Sequence, residues 1–308
     1  MSKPLAADGN AWPPLPLSEW RDTCETVHMW TQIVGKVRME LSPPLNHWWH
    51  VPLYVTARGL TTSTIPYGWR VFQVDFDFID HDLRIETSSG STESMPLKPM
   101  AVADFYREFM SRLGSLGIDA HINTTPNEVP TPIPFTEDRT HKSYDPDQVH
   151  RFWRALVSAD TVFKEFRSRF LGKSSPVQFY WGSFDLAVTR FSGRLAPARP
   201  GADSITREAY SHEVCSAGFW PGSGDIQDAA FYSYTAPPPA GLSEAPVRPS
   251  SAFYHKGLGE FLLMYDEVRK SPSPRETLLE FLQSTYEAGA NLAGWDRKAL
   301  EREVYKTA

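Results

Sequence analysis

Three short stretches hold most of the side chains able to do chemistry. Asn46-His47-Trp48-Trp49-His50 carries two imidazoles three residues apart. On a helix they would share a face and chelate a metal, whereas on a strand they point to opposite sides. Pro43 and Pro44 before them and the apolar run after them favour extended chain. That disfavours a two-histidine metal site and leaves either imidazole as a single acid or base, or as a partner for backbone groups at a strand entry. The second stretch, Phe179 to Arg190, reads as one strand that is apolar on both faces and central in a sheet. It embeds Asp185 and Arg190 on opposite faces, and a buried charge needs a partner or a ligand. Arg58, at the end of the apolar segment that starts at His50, raises the same question. The third stretch, Ser211-His212-Glu213, leads into Phe219-Trp220. His212 with Asp185 would make an acid–base pair, and with Ser183 the outline of a Ser–His–Asp constellation. Spacing alone does not decide this, and no GxSxG elbow accompanies it.

Asp75, Asp77, Asp80, His81 and Asp82 look like metal ligands by composition alone. A hairpin turning at Asp80-His81 instead puts Asp77 opposite Arg84 and spreads the carboxylates over a solvated outer face. No metal site is expected, and the cofactor question stays open. GxGxxG, GxxxxGK[ST] and HExxH motifs are absent. The basic residues Arg190, Arg194, Arg199 and Arg207 lie in or beside a Gly/Pro-rich loop, which suits either an anion clamp or solubilising charge.

These residues lead to one functional expectation: a cytoplasmic small-molecule enzyme with an aromatic pocket between two halves of the chain. His50, Asp185 and His212 are its candidate catalytic groups. His47, Trp49, Arg58, Trp181, Arg190 and Trp220 are its candidate ligand contacts. Two other classes stay open. One is a non-catalytic protein that stacks a sugar or an aromatic ligand on the tryptophans. The other is an interaction module using the Pro-rich segments 126–134 and 236–249.

The secondary structure that carries these groups is read from periodicity. Residues 1–17 are Pro-rich and extended. A helix from Glu19 to about Leu41, N-capped by Ser18, carries the apolar stripe Trp30, Ile33, Val34, Val37 and Leu41. His28, Gln32 and Lys36 share another of its faces. Strands are expected at 50–57, 70–79, 82–87 and 118–123, and a helix from about Ala101 to Leu116. PNEVPTPIP, 126–134, is a semi-rigid connector. The second half opens with Asp145 as N-cap and Pro146 at the first helical position, giving a helix to about Leu171. Strands at 177–191, 211–217 and 230–234 come next, then a helix from the Ser273–Glu276 capping box to about Leu292, and a last short helix after Trp295-Asp296. The expected organisation is an N-terminal half (1–128), a Pro-rich linker and loop (129–145) and a C-terminal half (146–308). Trp49 and Arg58 are nine residues apart, as are Trp181 and Arg190, which suggests an internal repeat.

Composition bounds the function classes. The chain has 308 residues and a net charge of −6, with no run of five like charges, so a dedicated nucleic-acid face is not expected. No 18-residue apolar stretch and no secretory leader pattern is present, so no membrane partner is expected. Two cysteines, Cys24 and Cys215, cannot build a thiolate zinc site and fit a reducing compartment. Oligomeric state is open.

The segments TVHMWTQIVGKVR (26–38), NHWWHVPLYVTARGLTT (46–62), DFDFIDH (75–81), DRTHKSYDP (138–146), FYWGSFDLAVTRFSG (179–193) and SHEVCSAGFWPG (211–222) resemble a family of uncharacterised bacterial proteins, defined only as a domain of unknown function of about this length. The resemblance covers nearly the whole chain. It implies a single shared architecture and no particular activity. The fold class expected from the elements is α+β: a mostly antiparallel sheet with long helices packed on it, as two similar α-β-β-β-α halves sharing one core.

Overall fold

The computed structural model describes residues 11–224 and 226–302. The reading made for residues 1–10 lies outside them. Helix α1, Leu17–Leu41, begins after Pro16 and not at Ser18: the Glu19 N–H reaches the Pro16 carbonyl at 3.0 Å, and no side chain caps it. Its length lets one apolar stripe bury Val27, Ile33, Val34 and Val37 completely. Trp30 stacks on Phe105 at 4.7 Å and on Tyr144 at 5.4 Å, which fastens the helix to two later segments of the chain.

The first sheet is built from β1 (Tyr54–Val55), β2 (Gly59–Thr61), β3 (Ile65–Tyr67), β4 (Arg70–Asp77), β5 (Asp82–Thr87) and β6 (Thr92–Pro96). All its pairings are antiparallel, in the order β1-β2-β4-β5-β6, with β3 also on β4. Phe72, Val74 and Phe76 of β4 and Leu83 and Ile85 of β5 form its buried face. The β4–β5 register differs from the expected one by two residues. Asp77 pairs with Asp82 and Asp75 with Arg84, because the turn takes four residues, 78–81, with His81 at φ 53°. Asp77 is buried, not solvated: it accepts the Ile79 and Asp80 N–H groups and pairs with Arg58 and Arg84. Helix α2, Val102–Ser115, then packs on α1 and β6, ended by Gly117 at φ 67°. Residues 118–123 form no strand; their backbone is part of a long irregular segment that reaches Asp145.

Helix α3, Pro146–Ser168, starts as the Asp145-Pro146 pair requires, with the Asp145 carboxylate taking the Gln148 N–H at 3.1 Å. The segment 177–191 is a hairpin, not one strand. β7 (Gln178–Tyr180) and β8 (Asp185–Leu195) flank the turn Trp181–Phe184, in which Phe184 takes φ 59°. A short helix α4 (Ser204–Ala209) leads to β9 (His212–Trp220) and β10 (Ala230–Ala236). β11 (Phe253–His255) and β12 (Glu260–Met264) complete a second antiparallel sheet, ordered β11-β12-β10-β9-β8-β7. Helices α5 (Tyr265–Arg269), α6 (Pro274–Leu292) and α7 (Arg297–Leu300) close the described chain. α3 and α6 cover one face of the second sheet.

The two sheets meet at one isolated antiparallel bridge, Leu53 with Phe179, whose N–H···O bonds are 2.9 and 2.8 Å. One hydrophobic cluster runs through both halves, from Leu15 to Trp295. The architecture is α+β, with the sheet of each half antiparallel and long helices packed on both. Among the described residues no helix is long and apolar enough to cross a membrane.

Candidate functional site

Strand alternation on the second sheet builds a floor. Asp185, Ala187, Thr189 and Phe191 of β8 face one way, while Leu186, Val188 and Arg190 face the α3/α6 side. Register then aligns rows across three strands: Ala187 with Gly218 and Tyr232, and Thr189 with Ser216 and Tyr234. Gly218 is required where it stands. A Cβ there would lie 2.4 Å from the Tyr232 ring, which rests on the bare backbone. Tyr232 and Tyr234 stack at 6.2 Å, and the Tyr234 hydroxyl meets that of Tyr210 at 2.8 Å.

The roof comes from the first half. The polar face of α1, His28, Gln32 and Lys36, ties down the segments that overhang the floor. Gln32 holds both backbone groups of Asn127 at 2.8 and 2.9 Å, and the Lys36 ammonium donates to the Thr125 carbonyl at 2.7 Å. The His28 ring nitrogen meets the Gly182 carbonyl at 2.9 Å. Trp181 lies across Gly35 of α1, where a Cβ would come within 2.3 Å of the indole, and its N–H donates to the Val51 carbonyl at 2.9 Å. Asn46–His50 is a tight turn, not extended chain, because His47 and Trp48 both adopt left-handed backbone, φ 58° and 61°.

Between floor and roof runs a cleft in two chambers. The inner one, about 430 Å³, is walled by His47, Trp48, Trp49, Tyr180 and Trp181. The outer one, about 770 Å³, is walled by His28, His141, Trp220, Leu258 and Glu260. Asp185, Ser183, Glu128 and the Tyr232–Tyr234 pair belong to both. The Asp185 carboxyl sits at the junction, accepting from the Ser183 and Tyr232 hydroxyls, one on each oxygen. Burial raises its pKa despite these two donors. Burial and the neighbouring Asp185 charge also raise Glu128, and they push Glu260 up to about 7. None of the three carboxyls has a cationic partner among the described residues. His28 is held down to about 4 by burial, so it is neutral.

Of the expected site residues, His47, Trp49, Trp181 and Asp185 line the inner chamber and Trp220 the outer one. The others lie elsewhere. His50 is buried behind the turn, accepting the Leu45 N–H at 3.2 Å with its ring against Trp48. His212 contacts the Ser211 hydroxyl at 3.1 Å and the edge of His47, and no imidazole is bonded to Asp185, so the Ser–His–Asp arrangement is not formed. Arg58 belongs to the first sheet, bound to Asp77 at 2.5 Å and Asp80 at 2.6 Å. Arg190 is buried on the far side of β8, its guanidinium 3.4 Å from the Phe166 ring centre and 4.3 Å from that of Tyr286, donating to the Phe166 carbonyl. Of the remaining loop arginines, Arg194 pairs with Glu213 at 2.6 Å and Arg199 lies over Tyr210. Arg58 and Arg190 therefore occupy unlike environments despite their matched spacing from a tryptophan.

His47 is a structural partner as well as a wall. Its Nδ1 faces the Glu208 and Ala209 carbonyls at 3.1 and 3.2 Å, so it donates there, and Nε2 accepts from the Lys173 ammonium at 2.6 Å. Burial, then the Lys173 charge, lowers its pKa. Sequence reasoning missed Lys173, Glu128, Glu260, the tyrosines and the Asp138–His141 pair. The tyrosines were legible as the alternation in Tyr232-Ser233-Tyr234; the loop residues carried no periodic signal. Among the described residues no group of three or more His, Cys, Asp or Glu is arranged to hold a metal.

Residues 12–302 match the family model DUF5996, a family of unknown function, and the chain belongs to that family. No curated protein and no solved structure matches the chain.

Proposed function

We propose that the two-chamber cleft is the active site of a small-molecule enzyme whose proton-transfer group is Asp185. The observation that carries this reading is a nearly buried carboxyl set between two hydroxyls, at the junction of two cavities, with no cation among the described residues to neutralise it. A structural carboxylate in such a place would be paired with Arg or Lys, because an uncompensated buried charge is costly. A raised pKa instead favours the protonated form, the one able to donate, and positioned acid–base groups of this kind contribute about 10²–10⁴-fold to rates. Trp49, Trp181 and the tyrosines supply flat apolar walls, and Glu128 and Glu260 disfavour anionic ligands. The substrate expected is a small, flat, uncharged molecule with hydroxyl or carbonyl groups. A cytoplasmic setting is part of this reading, since both cysteines are free and buried.

The test is a ligand-observed NMR screen of aromatic and carbohydrate compounds, followed by mass spectrometry for turnover. Ala187→Phe fills the inner chamber, and Asp185→Asn preserves shape while removing the acid. Compounds that bind the wild type, fail to bind A187F and are turned over only when Asp185 is present support the reading. Binding without turnover, unaffected by D185N, favours a non-catalytic stacking site on the same tryptophans. Compounds that bind wild type and A187F equally refute both.

A further inference from the structure

We infer that Asp138 and His141 form a second proton-transfer group at the outer chamber, with His141 Nε2 acting as a general base on a hydroxyl of an uncharged substrate or on water. The inference rests on the reading of the cleft as an acid–base site and adds the base that Asp185 lacks.

The geometry is that of an oriented imidazole. Asp138 is fully buried, and its Oδ2 lies 2.6 Å from His141 Nδ1. A carboxylate only accepts, so the proton on that line belongs to Nδ1 and the lone pair is left on Nε2. The nearest carboxylate to Nε2 is Glu25, at 3.9 Å, too far for a hydrogen bond. The ring walls the same chamber as Asp185 and Ser183. The other imidazole of that chamber, His28, has its Nε2 committed to Gly182 and Gln32.

A purely structural role accounts for only part of this. Segment 138–141 caps α2: the Asp138 and His141 carbonyls accept from Ala103 and Val102, and Asp138 Oδ1 accepts the Thr140 and His141 N–H groups. None of these bonds uses Asp138 Oδ2 or the ring. The cap serves to fix where the ring sits. Thr26 and Thr23 of α1 fix it further by holding the Ser143 and Asp145 N–H groups at 3.1 Å each. Asp138 is thus a positioning residue that sets the tautomer and stabilises the imidazolium once Nε2 has taken the proton. In the cycle, the substrate or water oxygen adds to a substrate carbonyl carbon as Nε2 takes its proton, the C=O π pair moves onto the carbonyl oxygen, which takes the Asp185 proton, and after release His141 gives its proton to solvent while Asp185 regains one. The Glu25 and Glu260 carboxyls on the chamber wall favour an uncharged substrate over an anionic one.

Asp138→Asn separates the two roles. Asn Oδ1 still accepts the two N–H groups, but its NH₂ now faces Nδ1 and forces the proton to Nε2. Nitrogen-15 NMR of the wild type is expected to show neutral His141 protonated at Nδ1, and D138N to show it protonated at Nε2. Carbethoxylation of His141 by diethyl pyrocarbonate, mapped by mass spectrometry, should slow roughly tenfold or more in D138N. His121, whose side chain is 86% exposed, serves as the unchanged internal reference. A wild-type His141 protonated at Nε2, or equal modification rates in folded wild type and D138N, overturns the inference. If D138N does not fold, the wild-type tautomer decides alone. A compound turned over equally by wild type and His141→Gln, yet not by D185N, also overturns it while leaving the Asp185 reading intact.

Discussion

Gly218→Ala tests whether the floor of the cleft is built as described, because the added methyl has one place to go. β9 is held between β8 and β10, so its backbone cannot retreat. The new Cβ would sit 2.4–2.5 Å from two ring carbons and the hydroxyl oxygen of Tyr232, and ordinary contact begins near 3.4 Å. The ring must therefore withdraw by about 1 Å. That motion breaks its hydrogen bond to the Asp185 carboxyl, worth about 0.5–1.5 kcal/mol for a neutral pair, and its stack on Tyr234, worth about 0.5–1.5 kcal/mol. Replacing glycine in a strand returns about 0.5–1 kcal/mol. The net expectation is a loss of about 1 kcal/mol, or roughly 2 °C in Tm. Urea unfolding of G218A, Y232A and the double variant measures it. With the ring gone, the added methyl meets nothing from position 232, so in the Y232A background the same change should be neutral or slightly stabilising. Equal costs of G218A with and without Tyr232 would refute the packing on which the Asp185 site depends.

Other expectations rest on named contacts. Glu260 titrates near 7 in the folded chain and near 4.5 when unfolded, so the folded state binds the extra proton between those values and its stabilising effect fades as pH rises through them. Glu260→Gln, permanently neutral, should gain stability relative to wild type from pH 5 to 8 in urea unfolding; a difference that does not change with pH contradicts this. Arg190→Ala should cost about 2–4 kcal/mol by opening a hole beside Phe166 and Tyr286, whereas Arg190→Met should cost far less, and neither should change ligand binding. Ligand affinity that falls in R190M would put Arg190 back at the site. Burial pushes both thiols up, Cys215 to about 12, so iodoacetamide at pH 8 should label neither in folded protein and both in urea. Labelling at equal rates in both states would contradict the burial.

Periodic segments were legible and irregular ones were not. The stripe of α1, the Asp145-Pro146 start of α3 and the span Pro274–Leu292 follow from the Asp145 cap, proline at the first helical position and 3.6-residue spacing, which are local, whereas the Ser273–Glu276 capping box does not form because the Ser273 hydroxyl donates to the Glu276 carboxylate and caps no backbone N–H. Segment 177–191 misled because hydrophobic residues continue through the turn at Trp181–Phe184, hiding a hairpin inside what reads as one strand. The consequence reached the site. Tyr180, registered opposite Asp185, shares the cleft wall that alternation along one strand would have given to Phe179. His47 and Trp48 misled differently, since consecutive left-handed residues without glycine carry no sequence signature. The need of Asp185 and Arg190 for partners on opposite faces was readable. That Arg190 satisfies it with aromatic rings and a carbonyl, and Asp185 with hydroxyls beside a cavity, was not, because those partners come from α3, α6 and β10.

The protonation of Asp185 in the folded protein bears most directly on the proposed chemistry. Carboxyl carbon-13 NMR, assigned through D185N, tracks it across the pH range. A midpoint above that of an ordinary aspartate, set by burial against two hydroxyl donors, is the expected result. A midpoint at or below the ordinary value would mean a permanently ionised structural carboxylate, and the cleft would have no acid.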